Sequence, residues 1–195
     1  MNDSQYAASY FKTRLKKHLR DLSDLVRIPG SAYPGFDPSD LLRCADAVAL
    51  LLKTSGFENV QLLRGESPIP YVYADHLHAP DKPTVLIYAH YDVQPVGDLK
   101  AWISPPFEVS KRKGPGGDRL YARGVADDKS GIILAAAAVS SYLDTVKHLP
   151  VNVKVIIEGE EETGNLELEN FLRKHKELLQ ADAIYIVDSG SYDIG

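Results

Sequence analysis

Histidine and acidic side chains follow three apolar segments of this sequence, each at the point where the segment ends. They are His90 and Asp92 after the first segment, the acidic run 158–162 after the second and Asp188 after the third. In open α/β sheets, ligands bind in the crevice beyond the carboxyl ends of the strands. If the three segments are neighbouring strands, the sequence predicts one histidine and several carboxylates at a single edge of a sheet.

Another acidic pair, Asp127 and Asp128, directly precedes an apolar, alanine-rich segment that has the length of a buried helix. Taken singly, each of these motifs has an ordinary structural interpretation, as a surface ion pair, a solvated acidic face or a helix cap. Taken together, converging carboxylates repel one another and raise some of their pKa values unless a cation neutralises them. The combination therefore predicts a metal site.

One histidine among several carboxylates also indicates the kind of cation. The donor set is too rich in oxygen for a structural zinc finger, and Cys44 is the only cysteine in the sequence. Imidazole with carboxylates suits Zn²⁺, Mn²⁺ or Co²⁺, most naturally as two ions that share a carboxylate. Two metals about 3.5–4 Å apart can hold a water and the oxygen of a scissile group. The predicted chemistry is metal-assisted hydrolysis.

The elements that must position these residues alternate between helices and strands. Apolar spacing predicts a helix over about 4–26 and a second helix, which Ser39 caps and Gly56 ends. The later strands carry apolar residues on both faces. The predicted strands are 60–63, 71–74, 85–88, 151–158 and 183–187, and the later predicted helices are 128–146 and 166–179. This pattern predicts an α/β three-layer sandwich, with a mostly parallel mixed sheet and helices on both faces.

Glycine-rich residues 114–117 lie between two short segments, 107–110 and 119–122. They do not lead from a strand into a helix, and no Lys-Ser/Thr pair follows them, so they do not form a phosphate-binding loop. A hairpin turn is the better interpretation, and a nucleotide-binding Rossmann module is disfavoured.

Composition limits the classes of partner. The 195 residues carry 22 basic and 27 acidic side chains, a net charge of −5, whereas a nucleic-acid binder shows a basic face. The first twenty residues contain no apolar targeting segment, and the longest apolar run, 132–139, is shorter than the roughly 20 residues of a membrane span. The single cysteine fits a reducing compartment. We therefore expect a cytoplasmic protein without nucleic-acid or membrane partners.

Three ordered segments resemble the signatures of one enzyme family. They are Tyr88–Pro95 (Tyr-Ala-His-Tyr-Asp-Val-Gln-Pro), Leu120–Gly131 and Glu158–Gly164. The family is that of the co-catalytic di-zinc metallopeptidases, which includes carboxypeptidase G, aminoacylase, bacterial dipeptidases and carnosine dipeptidases. Trp102 and Pro105–Phe107 also match, so the resemblance covers nearly the whole chain.

The resemblance implies a set of metal ligands. His90 and Asp188 would bind one zinc ion. Asp127 would bridge both ions, and Glu162 would bind the second. Two Zn²⁺ are implied for each complete active site, with Co²⁺ or Mn²⁺ as alternatives. A cis peptide bond between Asp127 and Asp128 is also implied.

The resemblance implies two further roles. Asp92 would hydrogen-bond His90 and fix its tautomer. Glu161 would be the general base, which takes a proton from the attacking water and passes it to the leaving amine. The substrates would be dipeptides or the C-terminal residues of short peptides. Two alternatives stay open: a deacylase acting on N-acyl-amino acids, and a truncated fragment without catalytic activity.

An incomplete catalytic domain is a final implication of the resemblance. Residues 1–195 would be its N-terminal part, without the lid or dimerisation domain and without the C-terminal return segment that supplies a last histidine to the second metal. The full-length form would be a homodimer, whereas this chain alone would hold its second metal weakly and be inactive. Five other histidines match no ligand position and are predicted at the surface: His18, His76, His78, His148 and His175.

Overall fold

The computed structural model describes most of the chain, namely residues 1–114, 116–164 and 167–188. Helix α1 spans Asp3–Val26, close to the predicted bounds. It begins with a capping box, in which the Asn2 side chain accepts a hydrogen bond from the Gln5 backbone and the Gln5 side chain accepts one from the Asn2 backbone. This exchange satisfies two of the N–H groups that a helix start leaves unpaired.

Helix α2 spans Pro38–Thr54. Asp37 caps it and accepts a hydrogen bond from the Ser39 backbone, so the prediction that Ser39 is the cap is wrong. Proline is favoured at the first helical position, because its fixed φ is helical and its missing N–H has no partner there, and this places the cap at Asp37, two residues before Ser39. Gly56 follows the helix with φ +97°, the left-handed conformation expected after a helix end.

In the part of the chain that the structure describes, seven strands form two sheets. In chain order they are β1 Glu58–Leu63, β2 Tyr71–His76, β3 Thr84–His90, β4 Ser110–Gly114, β5 Gly117–Tyr121, β6 Asn152–Glu158 and β7 Ala183–Ile186. The large sheet has the order β1-β2-β6-β3-β7. β6, β3 and β7 are parallel neighbours, whereas β1 pairs antiparallel with β2 and β2 antiparallel with β6. The mixed sheet therefore brings the carboxyl ends of β3, β6 and β7 to one edge.

Helices cover both faces of the large sheet. The later helices are α3 Lys129–Thr145, α4 Leu168–Lys174 and α5 Lys176–Leu179. Val72 and Ala74 of β2 belong to the core formed with α1, α2 and α3. Tyr71 and Tyr73 point to the opposite face, where the ring of Phe171 in α4 stacks on Tyr71 with centroids 3.6 Å apart. The predicted three-layer α/β sandwich is confirmed.

The segment predicted as one helix over 166–179 is two helices. His175 has φ −104° and ψ 18°, which departs from helical geometry and separates α4 from α5. Leu166 lies outside the described residues. Within the part of the chain that the structure describes, no helix combines the length and the apolar character needed to cross a membrane.

Strands β4 and β5 form the predicted hairpin, but they extend further toward its tip than 107–110 and 119–122. Gly114 pairs directly with Gly117, which leaves a two-residue connection. Gly116 and Gly117 both have positive φ, as such a tight turn requires. Pro115, the other residue of the connection, lies outside the described residues.

The first residue of helix α3, Lys129, forms hydrogen bonds with the backbone at the end of α1. The Lys129 side chain is fully buried, and its Nζ donates hydrogen bonds to the carbonyl oxygens of Leu25 at 2.9 Å and Ile28 at 2.7 Å. Burial lowers the pKa of this amine. The two carbonyls supply the partners that a buried ammonium group requires.

Among the described residues, β7 is the outermost strand of the large sheet on the side of β3. All four residues of this strand are exposed, including Ile184 and Ile186, which are 65% and 66% accessible. Tyr185 of the same strand lines an apolar groove together with Val187 and with Leu134 and Tyr142 of α3. An exposed strand edge next to an apolar surface favours pairing with further polypeptide.

Candidate metal centre

Three chain segments bring acidic side chains to Nε2 of His90, the last residue of β3. The Nε2 atom lies 2.9 Å from Asp127 Oδ1, 3.7 Å from Asp188 Oδ2 and 4.0 Å from Glu161 Oε2. Asp188 follows β7, and Glu161 lies in the turn after β6. The structure thus places at one sheet edge the side chains that the sequence analysis placed there.

His90 is fully buried, and both of its ring nitrogens face acceptors. Nδ1 lies 3.1 Å from the Asp92 carbonyl oxygen and 3.3 Å from Asp92 Oδ1. Burial by itself lowers the pKa of His90, but the hydrogen bond and charge of Asp92, together with Asp128 and Asp127, raise it to about 10. A metal that binds Nε2 must therefore displace a proton at neutral pH.

Asp92 connects two parts of the site. Its buried carboxylate accepts hydrogen bonds from the backbone N–H of Glu161 at 3.2 Å and of Glu162 at 3.1 Å. These two residues begin a short 3₁₀ turn, Glu161–Thr163, directly after β6. Asp92 therefore orients both the imidazole of His90 and the acidic turn, which is more than its expected role.

The peptide bond between Asp127 and Asp128 is cis, as the family resemblance implied. The Asp127 side chain is 58% exposed and faces His90. Asp128 is buried, and its carboxylate accepts hydrogen bonds from the backbone of His90 at 3.1 Å and of Gly131 at 3.2 Å. A Cβ on Gly131 would lie 2.3 Å from Asp128 Oδ1, so only glycine fits there.

Asp128 was not among the predicted site residues, although it neighbours one. Desolvation raises the pKa of its carboxyl group to about 7, against the opposing effects of His90. A helix cap and a contact to a distant backbone N–H look alike in sequence, because both need only a carboxylate at the helix start. The acidic pair was the available signal, but it did not distinguish the roles of its two members.

Glu161 and Glu162 have different surroundings. Burial raises the pKa of Glu161, and the nearby carboxylates Asp188, Glu162 and Asp92 act in the same direction, while His90 opposes them. Glu162 Oε2 accepts a hydrogen bond of 2.5 Å from Gln94 Nε2. Glu162 Oε1 is buried and has no hydrogen-bond partner among the described residues.

Gln94 is a contact residue that the sequence analysis missed. It belongs to a matched motif, yet a glutamine beside a histidine and an aspartate gives no sign of which carboxylate it will hold. Its amide reaches Glu162 across 68 positions of sequence. The Tyr33 hydroxyl also donates to this turn, at the Glu162 carbonyl oxygen, over 2.9 Å.

The side chains form two overlapping groups that could hold metal ions. One group is His90, Asp127 and Glu162, and the other is His90, Asp128 and Asp188, with potential ligand atoms within 4.8 Å of one another in each. The buried, unpartnered Oε1 of Glu162 fits such a role, because a buried carboxylate oxygen requires a partner. The resemblance had grouped Asp188 with Asp127 rather than with Asp128.

The same residues and fold define a known class of hydrolase. The profile described as peptidase family M20/M25/M40 matches residues 86–194, more than half of the chain. The chain therefore belongs to this peptidase family. The matched region contains all six site residues predicted from the sequence.

Individual relatives are dipeptidases by name. The chain is 39% identical to human Beta-Ala-His dipeptidase over 131 residues, which is 66% of this chain and 25% of that protein. It superposes on the di-peptidase Dug1p of Saccharomyces cerevisiae with a TM-score of 0.86 and 25% identity, covering 100% of this chain and 43% of the other. With human carnosine dipeptidase 1 the TM-score is 0.84 at 28% identity, covering 95% and 41%. The chain thus spans about a quarter of the curated relative and less than half of each solved chain.

Proposed function

We propose that this chain carries catalytic residues of a metal-dependent dipeptidase that hydrolyses the amide bond of dipeptides or of C-terminal residues in short peptides. The observation that carries the proposal is the convergence of Asp127, Asp188 and Glu161 on Nε2 of the buried His90. The names of the relatives support the substrate class, because they include Beta-Ala-His and Cys-Gly dipeptidases.

Two zinc ions are the proposed cofactors, with Co²⁺ or Mn²⁺ as substitutes. His90, Asp127, Glu162 and Asp188 are the proposed ligands, and Asp127 is the residue shared between the two ions. When bound, the ions would polarise the scissile carbonyl and lower the pKa of the attacking water. The unpartnered Oε1 of Glu162 supports its place in this set.

Glu161 is the proposed general base. Its pKa is raised by burial and by neighbouring carboxylates, which makes it a better proton acceptor than an ordinary glutamate. It would take a proton from the attacking water at its carboxylate and deliver it to the nitrogen of the leaving amine. Asp92 would orient this step indirectly, since it binds the backbone N–H of Glu161 and faces Nδ1 of His90.

The described fold is proposed to be the N-terminal part of a larger catalytic domain. The exposed apolar strand β7 supports this inference, since it is an outermost strand of the sheet that the described residues form, and such a strand suits pairing with further polypeptide. The partial coverage of each relative supports it as well. A cytoplasmic location and a homodimeric full-length form belong to the same proposal, and the single free cysteine Cys44 is consistent with the former.

An assay of the full-length protein with and without metal tests this function. A dipeptide and the N-acetyl derivative of its C-terminal residue serve as paired substrates. We expect hydrolysis of the dipeptide, loss of that activity after chelation and recovery on addition of Zn²⁺. Preferred cleavage of the N-acetyl compound would identify a deacylase instead, and inactivity on both compounds with metal bound would contradict a hydrolase.

A further inference from the structure

A second group of potential metal ligands lies at the opposite end of the large sheet. It consists of Glu58, His76 and His78. His76 pairs with Val153 at the start of β6, whereas His90 pairs with Glu158 at the end of the same strand. Five residues of strand separate these two positions, roughly 16 Å. The two groups are therefore separate sites.

The three side chains converge because β1 and β2 are antiparallel neighbours. Glu58 is the first residue of β1 and His76 the last residue of β2. One potential ligand atom from each of the three residues lies within 4.8 Å of the others, and His78 Nε2 is 2.8 Å from Glu58 Oε2. The rings of His76 and His78 meet edge to face, with centroids 4.8 Å apart.

The hydrogen bond of His76 leaves one of its nitrogens free for a ligand role. Its Nδ1 lies 3.1 Å from the carbonyl oxygen of Gly56. A carbonyl oxygen only accepts, so Nδ1 carries the hydrogen in this bond and Nε2 keeps its lone pair when the ring is neutral. Histidines that bind metals characteristically donate their other ring N–H to a carbonyl or carboxylate in this way.

Charge at the group also suits a cation. Glu58 supplies a negative charge, because a glutamate carboxyl group is ionised at neutral pH. The nearby Asp75 is not a free ligand, because its two oxygens accept hydrogen bonds from Asn59 and Tyr73. The group therefore offers two imidazoles and one carboxylate.

We propose that Glu58, His76 and His78 form a second binding site, independent of the catalytic centre, for a borderline divalent cation such as Zn²⁺. Two imidazoles and a carboxylate are a known zinc ligand set, with water or another group at the fourth position. The ion would replace the hydrogen bond between His78 and Glu58.

Such an ion would join the start of the edge strand β1 to the end of β2. The pairing of these strands is irregular there, with a shift of register between Glu58 and Gln61 and a positive φ of 47° at Asn59. A metal cross-link at this position would stabilise the irregular end of the β1–β2 pair. The inference does not depend on the proposed dipeptidase activity.

Zinc titration of the full chain, followed by NMR of the histidine side chains, tests the site. The ring signals of His76 and His78 should change together at a stoichiometry of one ion, separately from those of His90. His78→Ala is the informative variant, because His78 is exposed and its only described hydrogen bond is to Glu58. We expect this variant to bind the peripheral zinc at least tenfold more weakly, as read from the His76 signals.

His148→Ala provides the matched control. His148 is equally exposed and lies 3.3 Å from the carboxylate of Asp3, but it belongs to no three-ligand group among the described residues. We expect it to leave zinc binding at His76 unchanged. Equal losses in both variants, or His76 and His78 signals that stay unchanged while His90 responds, would overturn the proposal.

Discussion

At the carboxyl ends of β3, β6 and β7, other parts of the chain hold the candidate catalytic ligands in place. At the opposite end of the sheet, the peripheral group consists of Glu58, His76 and His78, and two of these ligands, Glu58 and His78, are exposed. Asp92 faces His90 and the acidic turn, and Gln94 binds Glu162. In the peripheral group, the one hydrogen bond that His78 makes among the described residues is to its fellow ligand Glu58. The contrast shows that ligand types alone do not make a catalytic centre, because that also needs burial and fixed orientation.

The largest expected effect is on turnover, and it distinguishes the proposed general base, Glu161, from the proposed metal ligand, Glu162. In the full-length protein, Glu161→Gln should lower turnover by more than about a hundredfold, because a general base contributes roughly 10²–10⁴. Its metal content should stay near that of the wild type. Glu162→Gln should instead lower metal content, measured by elemental analysis beside the dipeptide assay.

Glu160→Gln is the control for both variants, since it changes the same acidic run at a residue outside the two ligand groups around His90. It should retain metal and most activity. If Glu161→Gln loses metal while Glu162→Gln keeps it, the assignments of base and ligand are reversed.

A smaller loss, of metal affinity, should follow from Asp92→Asn. This variant tests whether fixed orientation distinguishes the candidate catalytic ligands from the peripheral group. The variant preserves the shape of the side chain but removes the charge beside His90 Nδ1. Residues that orient metal ligands typically contribute 10–100-fold to metal affinity or activity. We expect a loss in that range, measured by zinc titration at constant pH.

Asp37→Asn is a suitable comparison, because Asp37 also accepts a backbone hydrogen bond but caps α2 outside the metal-ligand groups. Asparagine caps helices as well as aspartate, so binding should be unaffected. Wild-type affinity in Asp92→Asn would mean that the catalytic ligands need no more support than the peripheral ones.

The smallest expected effect concerns pH and the metal-free protein. The folded-state pKa of His90 is about 10, above the ordinary 6.5, and that of Asp128 is about 7, above 3.8. Both groups hold protons more tightly in the folded state. Their contribution to stability is therefore lost as pH rises, through 4–7 for Asp128 and through 6.5–10 for His90.

Chelated protein should accordingly unfold at a lower temperature at pH 9 than at pH 6.5, by several degrees, given that about 1 kcal/mol shifts the midpoint of a chain this size by 2–4 °C. Added Zn²⁺ should reverse the trend, because the ion and the proton compete for Nε2 of His90. Thermal unfolding followed by circular dichroism measures both. A chelated protein that is more stable at pH 9 would contradict the charge arrangement around His90.

Sequence reasoning predicted which side chains meet at the sheet edge, because strand ends are visible in the chain. His90 and Asp188 each follow a short apolar run, and such runs predict buried strands and therefore the sheet edge where they stop. The helices were recognisable from the spacing of their apolar residues. Local details were less accurate, as with the cap at Asp37 and the interruption at His175.

Contacts that depend on tertiary pairing could not be predicted from the sequence. Gln94 binds Glu162 and Asp128 binds the backbone of His90 only because β3, β6 and α3 meet. Five histidines were all predicted at the surface, yet His18 is buried and stacks on Phe11. His76 became a candidate ligand only once the pairing of β1 with β2 brought Glu58 beside it.

The buried amine of Lys129 at the start of α3 has a practical consequence for N-terminal truncation of this protein. Its two acceptors are the carbonyl oxygens of Leu25 and Ile28, at and just beyond the end of α1. A shortened version that begins after residue 28 would remove both carbonyl acceptors of Lys129, one position from Asp128. Expression boundaries should therefore retain the first helix, even though none of its residues belongs to the catalytic centre.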